Sequence, residues 1–337
     1  MILRHLGNSG LRVSQAALGT MTFGTSWGFG TDADQSRRIL DRFLDAGGNF
    51  IDTADKYTDG ESETILGEAL GARRDDVVLA TKYSLATSAT DANALGNHRR
   101  NLVRSLEHSL RRLRTDYVDL IWVHAWYFET AVEDVVRALD DMISAGKVLY
   151  WGLSDTPAWV CAEARVIAQL RGWAPLTAVQ LEYNLLERTG ERELLPFARQ
   201  NGVAVTGSIP LAGGVLTGKH HTKSSNVDTA RGERAKGRRN EQADEIVGLL
   251  CELAQSMDVT AAQLAIAWCL ASCPEAIPIL GARTPEQLGE NLDALALDLP
   301  ASVLDELNSV SRIPLGFPHD MLAGPRMREV MYGSFEP

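Results

Sequence analysis

Short β-forming runs alternate with helical patterns along almost the whole 337-residue chain. Eight of these runs are apolar and each is followed by a helical pattern: Ala16–Gly19, Phe50–Asp52, Val77–Thr81, Val118–Val123, Val148–Leu153, Ala178–Leu181, Val203–Thr206 and Ile277–Leu280. Such crossovers join parallel strands, so the alternation predicts an α/β protein with helices packed on a parallel sheet. Eight units in one chain favour a closed (β/α)8 TIM barrel.

The main alternative is an open, doubly wound sheet, which usually carries G-x-G-x-x-G after its first strand. Residues 18–24 read LGTMTFG and lack that fingerprint. Ile2–His5 and Leu11–Val13 predict a small N-terminal β-hairpin that plugs the bottom of the barrel. Extra helices are predicted towards the C-terminus at Glu241–Met257, Ala261–Ala271 and Ser302–Ser311. Because no linker divides the chain, we expect one barrel domain over residues 1–337.

Composition narrows the function. The net charge of −11 argues against general nucleic-acid binding, which needs a basic surface. The apolar, uncharged stretch at residues 259–274 is shorter than a membrane span requires, and the first residues do not resemble a secretory signal. We therefore expect a cytoplasmic protein without a membrane partner. The four cysteines are scattered and predict small buried side chains, with no metal site.

Four residues suited to proton transfer fall where predicted strands end: Asp52, Tyr57, Lys82 and His124. Neighbouring strands lie about 4.8 Å apart, and the strand ends of a barrel surround its active-site mouth. We expect Lys82 to lower the phenol pKa of Tyr57, with Asp52 holding the lysine charged. His124 can donate a hydrogen bond to a carbonyl oxygen. Taken singly, each is more commonly a surface, capping or core residue; together they predict carbonyl reduction or its reverse.

The neighbouring residues strengthen this prediction. Residues 49–57 read NFIDTADKY, and residues 60–67 read GESETILG. Further motifs follow in order: Thr81-Lys82, Val123-His124, GLS at 152–154, QLEYN at 180–184, PLAGG at 210–214, LTGK at 216–219 and GARTPEQLGEN at 281–291. From Leu6 to about Ala294 the chain resembles the aldo-keto reductases, most closely a bacterial branch that also resembles potassium-channel β-subunits.

The resemblance implies an oxidoreductase that binds NADP(H) across the C-terminal ends of the barrel strands. It implies Tyr57 as general acid, Lys82 and Asp52 as tuning residues, and His124 as the residue that orients the carbonyl. The cofactor-binding residues implied by the same motifs are Gly19, Thr20, Met21, Asp52, Ser154, Asp155, Gln180, Ser208, Ile209, Pro210, Leu211, Gly213, Lys219, Gly281, Arg283, Gln287, Glu290 and Asn291. Arg283 can fork onto a 2′-phosphate, which favours NADP over NAD.

Two positions depart from the family pattern. Many relatives have Ser-Asn where this chain has Ser154-Asp155, so the role of Asp155 stays open. Relatives also usually place Tyr or Trp before Ser-Pro-Leu, where the ring stacks on the nicotinamide. Here residues 206–211 read TGSIPL, without an aromatic residue. We expect either weaker nicotinamide binding, by about 1 kcal/mol, or another aromatic side chain in that role.

Aromatic residues near the predicted mouth are candidates for lining a substrate pocket: Trp27, Phe29, Trp126 and Tyr127. Packing in the core or rim is the alternative for several of them. An aromatic, apolar pocket suits aldehydes, ketones or the carbonyl forms of sugars. The polar, basic segment Lys219–Asn240 predicts a solvated loop that can also act as a lid over an anionic ligand.

The sequence therefore favours NADPH-dependent reduction of an aldehyde or ketone to the alcohol, with keto-sugars and aromatic carbonyls among the candidate substrates. The alternative is a redox-sensing regulatory subunit that binds NADPH and turns over little. A metal-dependent barrel isomerase would need His, Asp or Glu ligands at several strand ends, and these are not found. Whether the protein is a monomer or a homo-oligomer is left open.

Overall fold

A computed structural model describes residues 1–219, 237–238, 240–333 and 335. The strands in this part of the chain are β1 (Leu3–His5), β2 (Arg12–Ser14), β3 (Ala17–Gly19), β4 (Phe50–Asp52), β5 (Val78–Tyr83), β6 (Val118–Val123), β7 (Val148–Ser154), β8 (Ala178–Glu182), β9 (Ala204–Ser208) and β10 (Ala276–Gly281). Strands β3 to β10 form a closed, parallel, eight-stranded barrel in which β10 pairs with both β3 and β9. The predicted TIM barrel is confirmed.

Helices cover the outside of the barrel. Their bounds in the described residues are α1 (Ala33–Asp45), α2 (Glu61–Leu70), α3 (Arg99–Leu113), α4 (Val132–Ser144), α5 (Ala158–Arg171), α6 (Leu194–Asn201), α7 (Glu241–Ser256), α8 (Ala261–Ser272), α9 (Pro285–Asp293), α10 (Ala301–Val310), α11 (His319–Ala323) and α12 (Pro325–Tyr332). Several begin at a side-chain cap; for example, Asp32 accepts a hydrogen bond from the backbone N–H of Gln35. In none of the described helices are length and apolar character together sufficient to cross a membrane.

Residues 130–133 predict a helix start with a side-chain cap that the structure does not have. The sequence T-A-V-E at 130–133 has the spacing of a capping box, yet the N-cap of α4 is Ala131 and no side chain caps it. The helix begins one residue too late for Thr130 to reach the required backbone N–H. Glu133 instead forms an ion pair with Arg171 of α5 at 2.6 Å.

The N-terminal hairpin closes the bottom of the barrel as expected. Strands β1 and β2 pair antiparallel, and Leu6 and Val13 pack with apolar side chains from the barrel interior. The backbone N–H of Asn8 donates to the carbonyl of Gly202, just before β9 begins. This seals the N-terminal ends of the strands and leaves the C-terminal ends as the open face.

Interior packing also requires one glycine. Gly152 of β7 lies beside the indole of Trp122 on β6, and an added Cβ would approach the ring to 2.4 Å. Trp122 is fully buried inside the barrel. The bulky indole therefore fills the interior only because its neighbour on β7 has no side chain.

Candidate active site

Strand periodicity places the proton-transfer residues at the open face. Successive side chains of a strand point to opposite sides, so residues two apart share one side. Phe50, Ala80 and Trp122 face the barrel interior. Asp52, Lys82 and His124 each follow one of these by two positions, and therefore rise from the same interior face at its C-terminal end.

Asp52 and Lys82 form a buried ion pair at the bottom of the open face. Besides its bond to Asp52 Oδ2, the Lys82 ammonium donates to the carbonyl of Thr53 at 3.2 Å and to the hydroxyl of Tyr57 at 3.1 Å. Gln180 Nε2 donates to the other carboxylate oxygen, Oδ1 of Asp52, at 3.1 Å. Both charges are thus compensated by fixed hydrogen bonds, which a buried pair needs.

The turn after β4 carries Tyr57 back over this pair. Thr58 and Asp59 have positive φ angles of 47° and 55°, the left-handed region that non-glycine residues rarely adopt. The Thr58 hydroxyl donates to the Phe23 carbonyl at 2.7 Å and accepts from the backbone N–H of Ser62 at 3.0 Å. These bonds hold a strained turn whose result is the 3.1 Å contact between the phenol and the lysine.

Burial raises the pKa of the Tyr57 phenol, and the opposing attraction of Lys82 does not outweigh it. The pKa therefore lies above its ordinary value, contrary to the expected net lowering. The lysine lowers the pKa as expected, but desolvation of the phenolate is the larger effect. Tyr57 is consequently fully protonated near neutral pH and available as a proton donor.

The lysine and the histidine have opposite charge states. Burial disfavours the Lys82 ammonium, but Asp52 and Tyr57 outweigh that effect and raise the pKa of Lys82, so it stays charged. Burial, and then the nearby Lys82 charge, hold the pKa of His124 well below its usual range. The imidazole is neutral at pH 7 and carries one N–H. It lies edge-on to the Tyr57 ring at a centroid distance of 5.8 Å.

A cleft of about 260 Å³ extends from Tyr57 across the ends of the neighbouring strands. Most of the predicted cofactor residues line it: Gly19, Met21, Asp52, Gln180, Ser208, Ile209, Pro210, Leu211, Gly213, Gly281 and Asn291. Asn291 is buried, and its amide donates to the Gly281 carbonyl at 3.2 Å, which fixes the far end. Gly213 has a φ of +69°, so the turn after β9 needs a glycine there.

The other predicted cofactor residues do not line the cleft directly. Thr20 is buried and bonds to the Asp52 carbonyl, and Ser154 is buried at the end of β7. Asp155 follows with a φ of +41°, its backbone N–H donating to the Gln180 carbonyl at 3.1 Å. Gln287 accepts a hydrogen bond from the backbone N–H of Arg283 at 3.0 Å. The exposed side chains are Lys219, Arg283 and Glu290.

The candidate substrate residues divide into two pairs. Phe29 lines the cleft and packs against Trp27, whose ring centroid lies 6.5 Å from that of Tyr57. Trp126 belongs to the main hydrophobic core outside the barrel interior, which matches the packing alternative. The backbone N–H of Tyr127 donates to Asn97 at 2.6 Å, which anchors the loop after β6. An aromatic wall therefore stands on the Trp27 side of Tyr57.

Two residues that line the cleft could not be identified as cleft residues from the sequence. Ile266 lies in the strongly apolar helix α8, where periodicity predicts only core packing, yet it lines the cleft. Arg238 lines it as well and forms a two-pronged ion pair with Glu182, with Nη2 to Oε2 at 2.8 Å. In the sequence, Arg238 is only one member of the basic segment Lys219–Asn240. Residues 220–236 and 239, which form most of the predicted lid segment, lie outside the described residues.

Comparison with known proteins adds an independent finding. Residues 16–312 match the sequence profile of the Aldo/keto reductase family. The chain is 36% identical over 325 residues to a norsolorinic acid reductase of Aspergillus flavus, covering 94% of this chain and 82% of that protein. It is 35% identical over 331 residues to the aryl-alcohol dehydrogenase [NADP(+)] of Phanerodontia chrysosporium, covering 92% and 86%. An aryl-alcohol dehydrogenase of Pestalotiopsis microspora is 34% identical over 324 residues, covering 94% and 83%.

Proposed function

The chain belongs to the aldo/keto reductase family, and we propose that it uses NADPH to reduce an aldehyde or ketone to the alcohol, with Tyr57 as the proton donor. One observation carries the proposal. The Tyr57 hydroxyl accepts a hydrogen bond from a buried, charged lysine at the inner end of an elongated cleft. This arrangement supplies a proton where a carbonyl oxygen gains charge.

The cleft fits an extended dinucleotide. It runs from Tyr57 to Asn291 and combines apolar side chains with glycine backbone, which lets a flat ligand lie close to the chain. A Cβ built on Gly281 would meet no atom nearer than 4.0 Å, so the floor of the cleft is open at that point. Beyond it, the exposed guanidinium of Arg283 would hold a 2′-phosphate. The named NADP(+) relative supports the same cofactor for this chain.

NADPH, when bound, supplies the hydride to the carbonyl carbon; the protein supplies the proton. Because Lys82 donates to the Tyr57 oxygen, the phenolic hydrogen remains free to be donated to a carbonyl oxygen. After the proton leaves, the phenolate lies 3.1 Å from an ammonium that Asp52 keeps charged. That charge stabilises the phenolate at the moment it forms, which lowers the barrier to proton donation.

His124 and the aromatic wall orient the substrate. The neutral imidazole beside Tyr57 has one N–H with which to bind the carbonyl oxygen, while the Tyr57 hydroxyl binds it from the other side. Trp27 and Phe29 form the adjoining wall, and flat rings stack well against such a surface. We therefore propose an aromatic carbonyl as the substrate class, in agreement with the aryl-alcohol dehydrogenases among the relatives.

The proposal is tested by measuring NADPH consumption with a panel of aryl aldehydes, aryl ketones, aliphatic aldehydes and keto-sugars. We expect the highest kcat/KM with an aryl carbonyl, and a Trp27→Ala variant should raise the KM for aryl substrates more than for aliphatic ones. Preference for keto-sugars would refute the substrate class while leaving the reductase assignment intact. Tight NADPH binding without turnover on the whole panel would instead support a redox-sensing regulatory subunit.

A further inference from the structure

Arg238 is the one cationic side chain among the described residues that line the cofactor cleft. The only other charged side chain in this part of the lining is Asp52, whose charge Lys82 already compensates. A dinucleotide brings two negative charges with its pyrophosphate, and charge that leaves water for a partly enclosed cleft needs a compensating partner. The described lining offers Arg238 for that purpose.

Glu182 holds the Arg238 guanidinium in place. Nη1 and Nη2 of Arg238 donate to Oε1 and Oε2 of Glu182, with Nη2 to Oε2 at 2.8 Å. The side-chain amide of Asn184 donates to Oε1 of the same carboxylate at 3.0 Å. The arginine and glutamate side chains are only 32% and 21% exposed. Because the guanidinium is already fixed, little side-chain freedom is lost when it binds a further group.

The ion pair leaves part of the guanidinium available. A guanidinium has five N–H donors in a planar fork, and Glu182 takes one from each terminal nitrogen. In the part of the chain that the structure describes, Arg238 donates no other hydrogen bond. The Nε hydrogen and the remaining Nη hydrogens can therefore form a second two-pronged contact, and phosphate oxygens match that geometry.

The order of the strands puts this ion pair beside the middle of the cleft. Glu182 ends β8 and pairs in register with Ser208, the last residue of β9. Strand β9 lies between β8, which carries Gln180, and β10, which ends at Gly281. A dinucleotide extended from Gln180 to Gly281 crosses the end of β9. Since the pyrophosphate is the middle of NADPH, it would pass close to Arg238.

We propose that Arg238, held by Glu182, binds the pyrophosphate of NADPH. The family motifs instead place Lys219 near the cofactor, but Lys219 is exposed and is not part of the cleft lining. A lysine ammonium is a point charge, whereas the guanidinium presents parallel donors to two phosphate oxygens. The inference rests on NADPH as the cofactor, and it adds a residue that lies outside the motifs carrying the resemblance.

The test is titration calorimetry of the full chain with NADPH and with adenosine 2′-monophosphate, which lacks the pyrophosphate. Loss of a charge-assisted pair of hydrogen bonds should raise the Kd for NADPH in Arg238→Gln about 10–100-fold. The Kd for adenosine 2′-monophosphate should stay within about twofold of wild type. Arg238→Lys keeps the charge but not the fork, so its Kd for NADPH should be intermediate.

Arg199→Gln is a matched control. Arg199 of α6 forms two hydrogen bonds with Glu275, which precedes β10 at the opposite end of the barrel from the cleft. This variant also removes one positive charge and breaks an arginine–glutamate pair, yet its Kd for NADPH should stay within about twofold of wild type. Equal losses in Arg199→Gln and Arg238→Gln would overturn the proposal, as would a larger loss in Lys219→Gln than in Arg238→Gln.

A double variant covers poor folding of Arg238→Gln, which leaves the Glu182 carboxylate without its partner. Arg238→Gln/Glu182→Gln removes both charges and should still bind NADPH at least about fivefold more weakly than wild type. Wild-type affinity in either variant would contradict the role of Arg238 alone. Absence of NADPH binding to the wild-type chain would instead refute the cofactor, and with it the inference.

Discussion

Replacing Asp55 with Asn should make the protein's stability less sensitive to pH. Burial raises the pKa of this carboxyl to about 7, whereas an exposed aspartate has a pKa of about 3.9. Between those values the folded protein holds a proton that the unfolded chain has released. The folded state therefore binds more protons, so the free energy of unfolding falls as pH rises through this range and levels off above pH 7.

The two pKa values determine the size of the effect. Integrating the proton linkage from pH 5 to pH 8 predicts that ionisation of Asp55 lowers the free energy of unfolding of the wild type by about 2.5 kcal/mol. Because Asn does not ionise, Asp55→Asn does not lose stability in this way. Urea unfolding of both proteins at several pH values measures it. The free energy of unfolding of Asp55→Asn, relative to wild type, should rise by about that amount over this range.

Asp91→Asn is a matched control. Hydrogen bonding to Arg104 lowers the pKa of the exposed Asp91 carboxyl, so the free energy of unfolding of Asp91→Asn relative to wild type should not increase with pH. Parallel pH profiles for wild type and Asp55→Asn would refute the reasoning. Such a result would mean that Asp55 ionises with an ordinary pKa in the folded protein.

Three further substitutions test other parts of the account. Asp52→Asn leaves the buried Lys82 ammonium unpaired and should cost about 3–5 kcal/mol in urea unfolding, whereas a loss below about 1 kcal/mol would contradict a buried pair. Ser208→Trp should restore a stacking surface at the cleft and lower the Kd for NADPH about fivefold by calorimetry; an unchanged or higher Kd would count against it. Gly67→Ala would place a Cβ 2.4 Å from the Arg112 carbonyl and should lower the free energy of unfolding by about 1–3 kcal/mol. Gly281→Ala adds its Cβ in open space and should lower it little. Equal losses of stability in the two variants would contradict the α2–α3 contact.

The barrel was predictable because its strands are short, apolar and bounded by clear turn residues. Phe50–Asp52 and Val118–Val123 were predicted with the bounds that the structure has. Errors came where a local signal competed with packing, as in the capping pattern at residues 130–133, where α4 begins at Val132. The start of a helix depends less on the capping pattern in the sequence than on the residue at which the preceding loop ends.

The positions of Asp52, Lys82 and His124 could be predicted because each lies at or next to the C-terminal end of a barrel strand. The direction of the Tyr57 pKa could not, because desolvation depends on how deeply the phenol is buried. Ile266 could not be predicted as a cleft residue for a related reason: an apolar residue in an apolar helix has the same sequence pattern whether it faces the core or a ligand. A cavity of about 270 Å³ is lined by the turn after β4, the loop after β5 and helix α3, three separate segments that only the fold brings together.

The central claim is that Tyr57 donates the proton while the cofactor is held elsewhere in the cleft. Single-turnover reduction of an aryl aldehyde by Tyr57→Phe, with NADPH bound beforehand, tests it most directly. We predict a rate about 10²–10⁴-fold below wild type, with a Kd for NADPH within about twofold of wild type. A single-turnover rate within about threefold of wild type would contradict the claim, because the proton would then come from another group.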